Sequence, residues 1–128
     1  MGGMYLELGE HKKAIECHQR GLEISRLLGD LKAEGANWIN LANVFVFIGQ
    51  ANRAIPLYED AIKRKQAIGD MLGVAYAASN LGRIHAQRGN YLISFNLAQS
   101  ALGIFERLNH PQAATIKTLV TTLRKLTR

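Results

Sequence analysis

Four histidines and one cysteine are the residues of this sequence that could bind a metal or act as a nucleophile. His11, Cys17, His18 and His85 lack the spacing of a metal site within one helix, and the adjacent Cys17 and His18 point to different sides. A catalytic thiol also needs a base and an orienting group beside it, and the sequence marks neither. The glycines form no phosphate-binding loop. We therefore predict no metal, no cofactor and no catalytic residue, in a protein that is not an enzyme.

A second set of polar residues recurs in register along the chain. Asn40 and Asn80 are 40 residues apart, as are Asn43 and Arg83. The three-residue spacing within each segment puts these side chains on one side of a helix. An Asn amide both donates and accepts hydrogen bonds, and Arg can bind a carboxylate through two bonds. These residue types suit peptide recognition. The alternative, in which the Asn side chains bond turns of neighbouring helices, stays open.

The composition is that of a folded protein. Of 128 residues, 48% are hydrophobic and 20% are charged, and only two are prolines. The longest purely apolar run, residues 44–48, is too short to cross a bilayer, and no basic-then-apolar leader begins the chain. The single cysteine excludes an intrachain disulfide. We predict a cytoplasmic protein that has no membrane segment.

The net charge of +6 raises the question of nucleic-acid binding, because clustered Lys and Arg side chains neutralise phosphates. Here the basic residues are spread along the whole chain, with acids interspersed until about residue 106. Only the last twelve residues are basic without any balancing acid. The distribution favours a solvated basic face, and nucleic-acid binding remains the less favoured alternative.

A repeat of period 40 organises the chain. Gly9, Gly49 and Gly89 recur at that spacing, and Gly-Asp pairs recur at positions 29 and 69. Between them, apolar residues follow the 3.6-residue period of a helix. A glycine can end a helix in the left-handed conformation, and the following Asp can cap the next helix. The predicted helices span about 2–8, 11–28, 31–48, 51–68, 71–88, 91–107 and 111–127.

The residues of the middle unit carry a family resemblance, through the set Trp38, Leu41, Ala42, Phe45, Gly49, Ala54, Tyr58 and Ala61. This pattern resembles the signature of the tetratricopeptide repeat family, whose usual period is about 34 residues. The longer unit, with Asn-Leu-Gly at 80–82 and the Gly-Asp pairs, is similar to a subclass found in bacterial signalling proteins and eukaryotic polarity scaffolds. The resemblance implies an all-α, right-handed α-solenoid of antiparallel helix pairs, with about three units and a C-terminal capping helix.

The period predicts one repeat domain over residues 1–128. Its units are 1–30, truncated at the start, then 31–70 and 71–110, followed by a capping helix at 111–127 that begins with Pro111. Residues 1–5 align with 41–45, so the first unit holds about half of its first helix. We expect the apolar side chains of Tyr5, Ile15 and Leu22 to need cover, either from preceding repeats of a longer protein or from a second copy in a homodimer.

The resemblance also implies a site, because the first helices of such units line a concave groove that binds a protein or peptide. The residues placed there are Asn40, Asn43, Phe47, Tyr76, Asn80, Arg83 and Gln87. For Phe47 and Tyr76 a core position is an equal alternative. The predicted function is a scaffold that binds a peptide or helix of a partner, within the C-terminal part of a larger regulatory or signalling protein. The alternative is a self-associating or regulatory fragment with no separate ligand.

Overall fold

The computed structural model describes the backbone of residues 2–29 and 31–127, and the side chains of 12–29 and 37–127. All regular structure within these ranges is helical, which confirms the predicted all-α class. The helices are α1 (Gly2–Leu28), α2 (Leu31–Phe47), α3 (Ala51–Ala67), α4 (Met71–Gln87), α5 (Tyr91–Arg107) and α6 (Gln112–Leu126). They divide into two compact units, residues 1–64 and 65–128, with the boundary inside α3.

The helix ends are set by residues with left-handed backbone conformation. Gly49 has φ of 81° and Gly89 has φ of 79°, and Asn109 takes the same role at φ 51°. At each of these ends the second residue of the turn donates its N–H to a carbonyl five residues back, with distances of 2.8 Å for Gln50 to Phe45 and 2.9 Å for His110 to Phe105. This pattern satisfies carbonyls that a helix end leaves without a partner, so the predicted glycine stops at these positions are confirmed.

The Gly-Asp junction also has its predicted cap. Gly69 has φ of 74°, and Asp70 Oδ1 accepts a hydrogen bond from the Gly73 N–H at 3.0 Å, at the start of α4. Gly29 is left-handed as well, at φ 68°, while Asp30 lies outside the described residues. A side-chain acceptor at this position occupies an N–H that the first helical turn cannot satisfy.

The predicted break at Gly9 is wrong. Residues predicted as two helices, 2–8 and 11–28, form the single 27-residue helix α1. A glycine inside a helix costs only about 1 kcal/mol, whereas a separate two-turn helix is too short to be stable without extensive packing. Continuing the helix keeps its backbone hydrogen bonds. The side chain of Tyr5 lies outside the described residues.

The core of the first unit is built where α1, α2 and α3 meet. Its buried apolar side chains are Leu22, Leu41, Ala42, Phe45, Ala54, Tyr58 and Ala61. The burial of Leu22 corrects the expectation that this residue needs cover from outside the chain, because α2 packs against α1. Ile15 is half-buried. Among residues 12–28 of α1, whose side chains are described, the exposed large apolar side chains lie on the last two turns, at Ile24, Leu27 and Leu28.

The core of the second unit depends on close approach between α4 and α5. Ser94 is fully buried and donates its hydroxyl to the Gly82 carbonyl at 2.6 Å. A Cβ atom at Gly82 would lie 3.5 Å from the Leu97 Cβ, so the two helices are already in contact at this point. The predicted last helix packs on α5 and buries Ile116, Val120 and Leu123.

Candidate partner-binding site

In the second unit, the predicted site residues form one exposed stripe on α4. Most of this helix is covered, with nine buried residues between Gly73 and Ile84. The stripe runs along the remaining face and consists of Tyr76, Asn80, Arg83 and Gln87, of which Asn80 is half-buried and the others are exposed. Their spacings of four, three and four residues keep them on one side of the helix. We call this set the α4 stripe.

Tyr76 is held in place by two aromatic neighbours although 36% of its surface is exposed. Its ring meets the buried Phe105 ring edge-on, with the centroids 5.5 Å apart. Its hydroxyl lies 2.9 Å from His110 Nε2. The ring therefore contributes to packing and also presents a surface, which combines the two roles considered for this residue.

In the first unit, the predicted residues lie on one face of α2. Asn40, Asn43 and Phe47 are exposed, and their spacings of three and four residues put them on the same side. Phe47 exposes 67% of its surface, so it is not a core residue. We call this set the α2 stripe. Because the two stripes belong to different units, each is described by itself.

Asn43 has a structural contact in addition to its exposure. Its Oδ1 accepts a hydrogen bond from the hydroxyl of Tyr58, a buried residue of α3. An Asn at this position therefore gives the buried phenol an acceptor, which such a group needs away from water. For Asn43, the alternative in which the side chain bonds a neighbouring helix is what the structure shows.

An ion pair that was not predicted lies at the start of α4. Lys65 Nζ lies 2.9 Å from Asp70 Oδ2, and the Lys65 side chain is only 5% exposed. Gly73 makes room for it, because a Cβ atom there would lie 2.8 Å from Lys65 Cδ. No signal in the sequence marks Lys65 as buried, although a buried ammonium needs a nearby carboxylate such as Asp70.

Trp38 is a second feature that the sequence pattern did not predict. The Arg26 and Arg64 guanidinium carbons lie 5.3 and 5.4 Å from its ring centre. Its Nε1 is buried and has no hydrogen-bond partner among the described residues. Two cations over one indole hold α1 and α3 against α2 in the first unit.

The described residues offer neither a metal site nor a membrane-spanning helix. Among residues whose side chains are described, His, Cys, Asp and Glu form no group of three or more that could hold a metal ion. Cys17 is exposed. Over the same part of the chain, no helix is both long enough and apolar enough to cross a membrane.

Comparison with known proteins identifies a family. A family model described as tetratricopeptide repeat matches residues 1–67, and a second model with the same description matches residues 74–111. Comparison with the curated proteins found no match.

Comparison with solved structures gives the same fold. The crystal structure of BtubC (BKLC) from P. vanneervenii is similar, with a TM-score of 0.84 and 22% sequence identity over 95% of this chain. The similarity covers 51% of that chain, so the present chain spans about half of its length. At this identity the likeness shows the fold alone.

Proposed function

Because the chain belongs to the tetratricopeptide repeat family, whose members are protein-interaction modules, we propose that it binds a peptide or helix of a protein partner. In this family the first helix of each repeat contributes to a partner-binding groove, and the proposed contact residues here are the α2 stripe in the first unit and the α4 stripe in the second. The module acts as a non-catalytic scaffold within a regulatory or signalling protein.

The observation that supports this proposal most is the α4 stripe. Nine residues of α4 are buried. The remaining face carries the ring of Tyr76, the amides of Asn80 and Gln87, and the guanidinium of Arg83. A face that served only to keep the protein soluble would not require a tyrosine whose ring is held by ring contacts with Phe105 and His110. Aromatic and Arg side chains dominate the binding energy of many protein interfaces.

The chemistry of the stripe suits a peptide backbone and an acidic side chain. The Asn80 and Gln87 amides can donate to a carbonyl and accept from an N–H. Arg83, which is exposed, can bind a carboxylate through two charge-assisted bonds. These contacts give orientation, and the rings of Tyr76 and Phe47 add apolar area, which supplies more of the affinity.

Site-directed photo-cross-linking tests the proposal and identifies the partner. A photo-cross-linking amino acid in place of Gln87, in the α4 stripe, should capture a discrete protein from the source cells. The matched control carries the same amino acid in place of Gln99, which is also an exposed glutamine but lies on α5.

Capture from position 87 and none from position 99 supports the proposed surface. Equal or stronger capture from position 99 would place the partner on another face. Capture of a second copy of this chain from position 87 would support self-association instead.

A further inference from the structure

The net charge of the chain belongs entirely to its second unit. Residues 65–128 contain eight of the 16 Lys and Arg residues but only two of the ten Asp and Glu residues, a formal charge of +6. Residues 1–64 are therefore neutral overall. The two acids of the second unit are Asp70, which is paired with Lys65 at the start of α4, and Glu106, near the end of α5.

Neither acid is close to the end of the unit where α4 finishes and α5 starts. Each of these helices has 17 residues, so its two ends are about 25 Å apart at 1.5 Å per residue. Exposed charges are largely screened beyond about 8 Å at physiological ionic strength. Cationic side chains at this end are not neutralised by Asp70 or Glu106.

An open apolar depression of about 400 Å³ lies at this end of the unit. It lies between the start of α5 and the last turn of α6, and its apolar lining includes Leu92, Ile93 and Leu126. These three side chains expose 64%, 49% and 53% of their surface. Clustered apolar side chains that remain in contact with water are typical of interaction sites.

Two cations, Arg124 and Lys125, lie in the last turn of α6, the turn that contributes Leu126 to the depression. The Arg124 guanidinium carbon lies 5.9 Å from the ring centre of Phe95, which follows Leu92 by three residues on α5. Lys125, the second of these cations, is exposed. The surface thus combines an apolar floor, formed by the lining of the depression, with two cations in the last turn of α6. We call Leu92, Ile93, Arg124, Lys125 and Leu126 the basic ledge.

We infer that the basic ledge binds an acidic amphipathic segment of a protein partner. One large apolar side chain of that segment occupies the depression, and its Asp or Glu residues face Arg124 and Lys125. Complementary charge steers the association, while burial of apolar area supplies the affinity. The ledge shares no residue with the α2 and α4 stripes, so this inference does not rest on the proposed groove.

Nucleic acid fits the same surface less well. A phosphodiester backbone would neutralise Arg124 and Lys125, but it would cover Leu92, Ile93 and Leu126 with charged groups. An aliphatic or aromatic side chain removes that apolar area from water instead. The apolar floor therefore favours a protein segment over a nucleic acid.

The test uses a fluorescent synthetic helix of about 16 residues, with Leu on one face and Glu on the others, titrated with the full chain in fluorescence anisotropy. The double variant Leu92→Gln, Leu126→Gln should weaken binding about tenfold or more, because both side chains lose apolar contact. Leu108→Gln is the matched control, since Leu108 is 52% exposed but lies at the other end of α5. It should leave the affinity unchanged.

Charge is tested by Lys125→Glu against Lys117→Glu, two exposed positions on α6. Only Lys125→Glu should weaken peptide binding by several-fold and reduce its dependence on salt. Three results would overturn the inference: equal binding of a scrambled peptide of the same composition, no saturation up to about 1 mM peptide, or tighter binding of a single-stranded oligonucleotide that Lys125→Glu abolishes. Melting curves show that each variant is folded, and all these sites are exposed in the wild-type chain.

Discussion

The Lys65 ammonium lies 2.9 Å from the Asp70 carboxylate at the junction of α3 and α4, where its side chain is 5% exposed. Asp70 uses its other oxygen to cap α4 through the Gly73 N–H. One carboxylate therefore satisfies both a buried cation and a helix end. The positions 40 residues before and after Lys65 hold Ser25 and Phe105, which are also buried, so this site in the repeat accepts uncharged side chains.

Removing Asp70 should destabilise the second unit far more than removing Lys65. Asp70→Ala removes both the carboxylate that faces the buried Lys65 charge and the cap of α4, at a cost of about 3 kcal/mol or more. Lys65→Met should cost less than about 1 kcal/mol, since an apolar side chain replaces a buried ion. Denaturant unfolding of both variants and the double variant measures this. Equal loss of unfolding free energy in Lys65→Met and Asp70→Ala would contradict this prediction. It would show that the ion pair itself stabilises the second unit.

Two of the helical glycines, Gly73 and Gly103, should respond oppositely to alanine. A Cβ atom at Gly73 would lie 2.8 Å from Lys65 Cδ and 3.1 Å from Asp70 Oδ2, so Gly73→Ala must displace the ion pair and should cost about 1–3 kcal/mol. A Cβ atom at Gly103 would meet no neighbouring atom of the described residues within 4 Å. Gly103→Ala should therefore stabilise the chain by about 0.5–1 kcal/mol through helix propensity. Thermal melts of both variants check the signs, and a stabilising Gly73→Ala would contradict the packing described.

His110 should be in the Nε2–H tautomer when it is neutral. Its Nδ1 accepts a hydrogen bond from the Gln112 backbone N–H at 3.1 Å, so the ring proton is on Nε2, where it can donate to the Tyr76 hydroxyl 2.9 Å away. The ring ¹⁵N chemical shifts of His110 distinguish the two tautomers directly. In Tyr76→Phe the tautomer should persist, because the Gln112 bond remains. A neutral ring protonated on Nδ1 would show that His110 does not accept at the start of α6.

The sequence predicts features that depend on local chemistry. The left-handed helix ends at Gly49, Gly69 and Gly89 follow from a residue type that adopts positive φ at little cost. The exposed face of α4 is predictable from the helical period, because the apolar residues of this segment recur every 3.6 residues on one side and the stripe residues lie on the other. Gly9 shows the limit of this inference, because it lies inside α1. A glycine allows a helix to end but does not require it to end.

Features that depend on partners from other helices were not predictable. The burial of Lys65 requires Asp70 and Gly73 together, and the fixed ring of Tyr76 requires Phe105 and His110, which lie on later elements. The concentration of charge in residues 65–128 was present in the sequence. The division between units at residue 64, which assigns this charge to a single unit, depends on the packing of the helices.

The most direct test of the central claim is the affinity for the partner segment that cross-links at position 87, measured by calorimetry for two triple variants. The site variant is Asn40→Ala, Asn80→Ala, Arg83→Glu. The control, Asn96→Ala, Gln99→Ala, Lys63→Glu, makes the same kinds of change at exposed positions outside the stripes. The site variant should lose about 100-fold or more in affinity while its melting temperature stays within about 4 °C of wild type, and the control should bind normally. Wild-type affinity in the site variant, or a collapsed melting temperature, would contradict the account.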